Sequence, residues 1–229
     1  MNVEDKLKAL VLFSGGLDST TTLAIARAEK YNITALTINY KQRHSFEIEA
    51  SKKILSKMTD IKHIIFDIDL SRIGGSALTD NKIDVPNNET SGIPITYVPA
   101  RNTIFLSIAA SFAEKYSIPN IFIGVNAIDY SGYPDCRPEF ITAFQNTINL
   151  GTKAGIEGNI IKIHTPLIDL TKSDIIRKGI NLGVDYSQTV SCYKASCLGE
   201  ACGLCDSCRF RKQGFLEAGI DDNTIYKKT

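Results

Sequence analysis

The sequence lacks a strong net charge. Its 26 basic residues are balanced by 25 acidic residues, which leaves a formal net charge of +1. A protein that wraps tRNA or DNA usually carries a basic face, and a nearly neutral chain has no strong global field to attract polyanions. We therefore expect a small-molecule substrate and no direct nucleic-acid partner.

Long hydrophobic runs are also missing. The chain begins with acidic residues, and the apolar stretch at residues 9–13 is shorter than the core of a secretory signal peptide. No window approaches the roughly 20 apolar residues of a membrane span. We therefore expect a cytoplasmic protein without a membrane partner. Because that compartment is reducing, the six cysteines are not expected to form a disulfide framework.

Two common nucleotide fingerprints are absent, yet one loop suits a phosphate. Residues 14–20 read Ser-Gly-Gly-Leu-Asp-Ser-Thr, with neither the Gly-Lys-Ser/Thr of a Walker loop nor a Gly-x-Gly-x-x-Gly. Gly15 and Gly16 allow a tight turn and close approach to a ligand, and the helix that follows presents free N–H groups. An ordinary capped strand–turn–helix junction is the alternative interpretation.

Asp18 is unexpected in a phosphate loop. A carboxylate facing phosphates would be repelled unless a divalent cation lay between them. Asp18 therefore either requires Mg²⁺ or caps the helix without meeting the ligand.

Apolar runs alternate with helical patterns along the chain. This alternation predicts an α/β fold with a doubly wound, parallel five-stranded sheet. Ligands of such sheets bind at the carboxyl ends of the strands, at the point where strand order reverses. Thr171, three residues before Asp174, is predicted to cap a helix, and the irregular segment 71–99 is predicted to be a functional loop. The strands are predicted at residues 7–13, 33–39, 61–68, 120–125 and 159–164, and the helices at 18–29, 46–58, 103–116, 139–149 and 171–182.

Five of the six cysteines lie between positions 192 and 208. Cys202, Cys205 and Cys208 form two consecutive C-x₂-C steps, and a closed zinc site needs a fourth thiolate, from Cys192 or Cys197. A ferredoxin-type run would continue with a cysteine where Lys212 stands. Zinc in a structural role is therefore favoured over an iron–sulfur cluster. The rest of this tail is predicted to hold only short apolar pieces. Arg209, Arg211 and Lys212 are predicted to form a solvent-exposed basic face, and the alternatives are that they neutralise the thiolate-rich site or reach phosphate.

The Ser-Gly-Gly-x-Asp-Ser loop after a first strand resembles the PP-loop of the ATP pyrophosphatase superfamily, which has the HUP-type α/β fold. Four further segments resemble the 7-cyano-7-deazaguanine synthase (QueC) family, and the resemblance runs from about residue 10 to residue 214. These segments are Tyr-Lys-Gln-Arg-His at 40–44, Tyr-Val-Pro-Ala-Arg-Asn-Thr at 97–103, the loop at 124–140 and Ser-Cys-Tyr at 191–193.

The resemblance implies an ATP-dependent ligase that converts 7-carboxy-7-deazaguanine and ammonia to 7-cyano-7-deazaguanine, for queuosine or archaeosine. It proceeds through an adenylated carboxylate and an amide intermediate. ATP, Mg²⁺ and Zn²⁺ are the implied cofactors, and free ammonia is the expected nitrogen source because no glutaminase domain fits in the chain. A homodimer is also implied. The expected organisation is a PP-loop domain over residues 1–185 and a zinc-binding segment over 186–229.

The same resemblance assigns roles to residues. Asp18, Ser19 and Arg101 are the implied catalytic residues, although Arg101 could instead face solvent. Independently of the resemblance, a carboxylate suits the paired N–H donors of a guanine-like edge, so Asp135 is favoured for recognising the base. The alternative is that Asp135, Arg137 and Glu139 are turn formers and surface charges. Cys136 has no nearby histidine in the sequence and is expected to be a passive contact. The implied zinc ligands are Cys192, Cys202, Cys205 and Cys208. ATP is expected to contact Leu12, Phe13, Ser14, Gly15, Gly16, Leu17, Asp18, Ser19, Thr20, Thr21 and Thr22, and the substrate Arg101, Asn102, Asp135, Arg137 and Glu139.

Three alternatives stay open. A PP-loop enzyme that modifies tRNA would need a basic appendage, which is not evident. A zinc-ribbon binding module with a degenerate nucleotide domain disagrees with the intact loop at residues 14–20. A QueC-like enzyme that acts on a protein carboxylate is poorly separated by sequence alone.

Overall fold

The sheet of the computed structural model contains five parallel strands. The structure describes residues 7–43, 46–87, 92–126, 132–196 and 198–227. Within these residues the strand order is β3-β2-β1-β4-β5, and every pairing is parallel. This arrangement confirms the predicted doubly wound sheet. The strands are β1 (Lys8–Leu12), β2 (Asn32–Asn39), β3 (Lys62–Asp67), β4 (Asn120–Phe122) and β5 (Lys162–His164).

Helices connect the strands, and the predicted helices are present with boundaries shifted by a few residues. The Thr171 hydroxyl accepts the backbone N–H of Asp174 at 3.2 Å, so the predicted cap is confirmed. Single 3₁₀ turns lie at Pro134–Cys136 and Tyr186–Gln188. The α-helices are α1 (Leu17–Ala28), α2 (Phe46–Leu55), α3 (Arg101–Tyr116), α4 (Pro138–Gly151), α5 (Lys153–Ile156), α6 (Lys172–Asn181) and α7 (Asp206–Ala218).

The sheet is covered on both faces because successive side chains of a strand point to opposite sides. Leu10 and Leu12 of β1 face the layer formed by α3 and α4. Ala9 and Val11 face the layer formed by α1 and α2. Burial of one such leucine stabilises the folded state by about 2–3 kcal/mol. This two-sided burial holds β1 in the centre of the sheet.

The strand order reverses beside β1. The chain builds β2 and β3 on one side of β1 and then crosses to place β4 and β5 on the other. Val11 of β1 pairs with Phe122 of β4, so the segments that follow these two strands leave the sheet side by side. These segments are residues 13–17 and 123–126, and a doubly wound sheet binds its ligands at this position.

Helix α7 was not predicted, and it integrates the tail with the domain. Phe215 of α7 is buried against Ile175 and Ile176 of α6. The prediction of a solvent-exposed basic face is wrong for Arg211, which is only 4% exposed and pairs with Asp222 at 3.0 Å. Because a buried guanidinium needs an anionic partner, this pair secures the inner face of α7.

Candidate active site

A cavity of about 240 Å³ opens at the carboxyl ends of β1, β2 and β4. The phosphate loop, which we define as residues 14–19, forms one wall. The remaining walls come from the start of α2, the start of α3 and the segment just before the cysteine cluster. Among the polar residues that line it are Ser14, Asp18, Tyr40, Glu47, Arg101 and Tyr193.

The phosphate loop is held open by its own hydroxyl groups. The Ser19 hydroxyl accepts the N–H of Ser14 at 3.2 Å and donates to the carbonyl of Gly16 at 3.1 Å. The Ser14 hydroxyl accepts the N–H of Gly16 at 3.2 Å. The first turn of α1 begins here, and its N–H groups have no acceptors within the helix. Together with the helix dipole, this arrangement suits an anionic phosphate.

Gly15 is required for the loop to pass under α2. Its φ angle is +82°, and a Cβ there would lie 2.6 Å from the N of Ser51 and 2.9 Å from the O of Glu47. We expect Gly15→Ala to lower the free energy of unfolding by about 3 kcal/mol, from left-handed strain and overpacking together. Urea denaturation measures this loss.

Gly158→Ala is the matched control for Gly15→Ala. Gly158 has a φ of +84°, and a Cβ there meets no described atom within 4 Å. Only the backbone strain of about 1–2 kcal/mol applies to this variant. An equal loss of stability in the two variants would contradict the close approach of α2 to the loop.

Asp18 is paired with a lysine. Its two carboxylate oxygens accept hydrogen bonds from the Nζ of Lys172 at 2.8 and 2.9 Å. Lys172 is 11% exposed and Asp18 34% exposed. Gly214 of α7 leaves the space for the lysine, since a Cβ at that position would be 2.5 Å from Lys172 Cγ. Helices α6 and α7 therefore deliver a positive charge to the phosphate loop.

Arg101 begins α3 and lines the cavity. The preceding residue, Ala100, has a left-handed backbone with φ 53°, a conformation that costs a non-glycine residue about 1–2 kcal/mol. Its N–H donates to the Tyr97 hydroxyl at 3.1 Å. The Arg101 guanidinium lies 6.0 Å from the ring centre of Phe105. Strained backbone of this kind is concentrated at functional sites, where it fixes the direction of a side chain.

The loop before α4 supports the start of α3. The carboxylate of Asp135 accepts the N–H of Asn102 at 2.9 Å, and Asn102 Nδ2 donates to the carbonyl of Asp135 at 3.1 Å and to Cys136 Sγ at 3.3 Å. Asp135 thus binds the free N–H group at a helix start, a favourable place for a carboxylate. Burial raises the pKa of the Cys136 thiol to about 11.

Glu47 and Tyr40 are cavity residues that the sequence reasoning did not identify. Both line the wall formed by the end of β2 and the start of α2. Burial raises the pKa of Glu47 to about 7, although the nearby Arg101 acts in the opposite direction. Burial likewise raises the pKa of Tyr40 to about 12. The carboxyl-end rule for parallel sheets is the signal that could have found them, because Tyr40 follows β2 directly and Glu47 lies in the first turn of α2, the next element.

The four cysteines of the tail converge. The Sγ atoms of Cys192, Cys202, Cys205 and Cys208 all lie within 4.8 Å of one another. The N–H groups of Lys194 and Cys202 donate to Cys192 Sγ at 3.2 and 3.1 Å. Four sulfurs with backbone donors are the ligand set of a closed tetrahedral zinc site. Cys197 lies outside the described residues. His44, the last residue of the Tyr-Lys-Gln-Arg-His segment, also lies outside them.

The thiols of this cluster cannot all ionise without a cation. Hydrogen bonding with the neighbouring sulfurs lowers the pKa of Cys205 and raises the pKa of Cys192 and Cys208. A divalent cation would stabilise the thiolates, since metal binding releases thiol protons.

The cysteine cluster is joined to the phosphate loop by its neighbours in sequence. The Ser191 hydroxyl accepts the N–H of Leu17 at 3.1 Å, and the N–H of Val190 donates to the carbonyl of Gly15 at 3.1 Å. The Ser207 hydroxyl donates to the carbonyl of Ser191 at 2.6 Å. Two adjacent residues, Val190 and Ser191, thus connect the cysteine cluster to the phosphate loop.

The chain is similar in sequence to proteins of one family. A family model described as "Queuosine biosynthesis protein QueC" matches residues 8–219. The chain belongs to the QueC family. A relative from Cupriavidus pinatubonensis, named 7-cyano-7-deazaguanine synthase, is 57% identical over 96% of this chain and 98% of its own length. One from Cellvibrio japonicus with the same name is 58% identical over 96% of this chain and 97% of its own length.

Solved structures with low sequence identity share the fold of this QueC chain. NMN synthetase from Francisella tularensis matches with a TM-score of 0.51 at 16% identity, over 95% of this chain and 79% of that one. A 4-thiouridine synthetase, solved with RNA and bound ATP, matches with a TM-score of 0.51 at 17% identity, over 93% and 50%. No helix in the described parts of the chain is both long and apolar enough to span a bilayer.

The residues predicted to bind the nucleotide have three different positions in the structure. Cavity-lining residues are Leu12, Phe13, Ser14, Gly16, Leu17, Asp18 and Ser19. Thr20, Thr21 and Thr22 are buried and donate their hydroxyls to main-chain carbonyls one turn earlier. Gly15 acts through its backbone geometry. The three threonines therefore stabilise the start of α1 and do not point into the cavity.

The predicted substrate residues are divided as well. Arg101 and Asn102 line the cavity, whereas Asp135 lies behind Asn102. Arg137 and Glu139 are exposed and are not among the described residues that line the cavity. The carboxylate of Asp135 accepts the N–H of Asn102 through one oxygen, and its contact with the base stays a prediction.

Proposed function

We propose that this chain uses ATP to convert 7-carboxy-7-deazaguanine and ammonia to 7-cyano-7-deazaguanine. The observation that carries the proposal is the phosphate loop of residues 14–19. It opens on one cavity with Arg101, in a chain 57–58% identical to proteins named for this product. Queuosine formation is the pathway for which the family is named, and archaeosine formation is a second destination for the same product.

The proposed reaction uses two molecules of ATP for each nitrile. The substrate carboxylate attacks the α-phosphorus of ATP, pyrophosphate leaves, and ammonia displaces AMP to give the amide. The amide oxygen then attacks the α-phosphorus of a second ATP and a second pyrophosphate leaves. Loss of AMP together with the nitrogen-bound protons gives the nitrile. Arg101 and the N–H groups at the start of α1 stabilise the charge that develops on phosphate and carboxylate oxygens.

Asp18 is the residue that would hold Mg²⁺. Its carboxylate is 34% exposed and lines the cavity, and carboxylate oxygens are suitable ligands for this ion. When bound, Mg²⁺ would offset the negative charge of the ATP phosphates. Lys172 already neutralises Asp18, so this carboxylate does not repel phosphates before a cation binds. Ser19 would contribute its hydroxyl to the phosphates.

Zinc in this proposal is structural. Cys192, Cys202, Cys205 and Cys208 provide four ligands, which leaves no position open for a substrate. The ion would secure the turn between residue 191 and α7 and so support Ser191 at the phosphate loop. Cysteine ligands stay reduced in the cytoplasm, which is where we place the protein. We also propose a homodimer and a boundary near residue 185 between the PP-loop domain and the zinc-binding segment.

A product assay tests the proposal. Zinc-loaded, folded protein is incubated with ATP, Mg²⁺, ammonium and 7-carboxy-7-deazaguanine, and the products are resolved by mass spectrometry. We expect the amide and then the nitrile to accumulate, with neither formed when ATP is omitted. Absence of both products in the complete mixture would contradict the proposed function, and turnover of a peptide carboxylate instead would favour a protein substrate.

A further inference from the structure

The nitrogen in the proposed reaction must lose every proton that it carries. It arrives as ammonium with four N–H bonds and ends in a nitrile with none. Free ammonium can lose its first proton to water before it binds, but the later protons leave nitrogen while bonds at the acyl carbon form and break in the cavity. A group within the cavity is therefore needed to accept protons from nitrogen while the new bonds form.

We propose that the Glu47 carboxylate is this general base, acting at amide formation and again at nitrile formation. The assignment rests on the proposed function. Glu47 lies in the first turn of α2 beside the phosphate loop, where its own carbonyl oxygen would be 2.9 Å from a Cβ on Gly15. Its side chain lines the cavity that also contains Asp18 and Arg101.

The other acid–base groups that line the described cavity are less suited to accept a proton. Both oxygens of Asp18 accept hydrogen bonds from Lys172, and Arg101 is a cation. Phenols and thiols hold their protons near neutral pH unless a neighbour lowers their pKa. Burial instead raises the pKa of Tyr40 to about 12 and that of Cys136 to about 11.

The environment of Glu47 tunes it for this task. Burial raises its pKa to about 7, while Arg101 of α3 opposes the rise. Tyr40, at the end of β2, is the other group whose charge is coupled to it. On α2 itself, Glu49 and Lys52 pair with each other at 2.9 Å on the exposed side. A base with a pKa near the working pH combines a large ionised fraction with a useful proton affinity.

The proton transfers balance as follows. In the first, the nitrogen lone pair of ammonia forms a bond to the acyl carbon. The carbon–oxygen bond to AMP breaks with its electrons on AMP, and one N–H proton passes to Glu47. In the second, an N–H proton of the adenylated amide passes to Glu47, its electron pair completes the carbon–nitrogen triple bond, and AMP leaves. The remaining two protons and those held by Glu47 are released to solvent.

Glu47→Gln tests the assignment, with Glu49→Gln on the exposed side of α2 as the matched control. We expect Glu47→Gln to keep carboxylate-dependent exchange of pyrophosphate into ATP, which needs no base. Conversion of the amide to the nitrile should fall about 100- to 10,000-fold. Glu49→Gln should retain both activities. Unchanged zinc content and melting temperature would show that each variant is folded.

The pH profile gives a second readout. The amide-to-nitrile reaction takes no ammonia, so the protonation of ammonia does not affect its rate. The carboxylate form of Glu47 is lost as the pH falls below its pKa of about 7, so the wild-type rate should fall with decreasing pH there, and the residual rate of Glu47→Gln should not. Equal losses of pyrophosphate exchange and nitrile formation in Glu47→Gln, or full nitrile formation, would overturn the assignment. A wild-type protein that forms neither amide nor nitrile would overturn the proposed function itself.

Discussion

Replacing Arg101 with Met is expected to lower kcat/KM for the substrate carboxylate by about 100- to 1,000-fold. Removing one preorganised donor from a site of developing negative charge typically has this effect. Arg101 lines the cavity, and the left-handed Ala100 fixes the direction in which α3 presents it. Arg101→Lys keeps the charge but loses the bidentate geometry, so we expect an intermediate loss. Steady-state kinetics of AMP formation measure all three proteins.

Arg177→Met is the control for the loss of an arginine. Arg177 is 47% exposed, pairs with Asp174 at 3.3 Å and donates to the carbonyl of Glu217 at 2.5 Å. It is not among the described residues that line the cavity, so kcat/KM should stay within about twofold. The account would be wrong about Arg101 if both variants kept wild-type kinetics. Arg137→Met addresses the sequence prediction separately, because a loss equal to that of Arg101→Met would place the exposed Arg137 at the substrate.

Cys192→Ser is expected to remove the metal and to destabilise the protein. Without one of its four ligands, the protein should bind clearly less than about one equivalent of zinc. Loss of a structural metal is among the few changes that lower the free energy of unfolding by more than about 4 kcal/mol. Because Cys192 follows Ser191, which accepts the N–H of Leu17, the affinity for ATP should fall as well. Zinc analysis, thermal unfolding and ATP titration measure these three effects.

Cys197→Ser is the matched control for the cysteine prediction. Cys197 lies between Cys192 and Cys202 in the sequence, and the resemblance to the QueC family does not include it among the zinc ligands. The variant should keep its zinc, its melting temperature and its ATP affinity. If Cys197→Ser lost the metal and Cys192→Ser kept it, the proposed ligand set would be wrong.

Local sequence was sufficient to predict the sheet. Apolar runs bounded by glycine or polar residues mark buried strands, and their alternation with helical patterns leaves few possible topologies. The phosphate loop and the cysteine cluster could also be predicted from the sequence, since the residues of each motif lie close together along the chain. Helix α7 was missed because its exposed face is polar and its interior glycine, Gly214, disfavours a helix locally. Packing of Phe215 against α6 overrides that preference.

The site residues that were missed depend on contacts between distant parts of the chain. Lys172 lies 154 positions from Asp18, so the sequence offered only Mg²⁺ or a helix cap as a partner for this carboxylate. The predicted role of Asp135 likewise depends on the direction in which its carboxylate points. A carboxylate in a loop can face either a ligand or a helix start, and only the fold shows that Asp135 accepts the N–H of Asn102. Sequence patterns identify which groups are present, whereas topology decides which way they point.

The fate of the carboxylate oxygens tests the central claim most directly. The substrate is prepared with ¹⁸O in both carboxylate positions, and AMP and pyrophosphate are analysed by mass spectrometry after complete turnover. The account predicts two AMP molecules for each nitrile, each carrying one ¹⁸O, and unlabelled pyrophosphate. Appearance of the label in inorganic phosphate or water, with unlabelled AMP, would contradict adenylation of both the acid and the amide in this cavity.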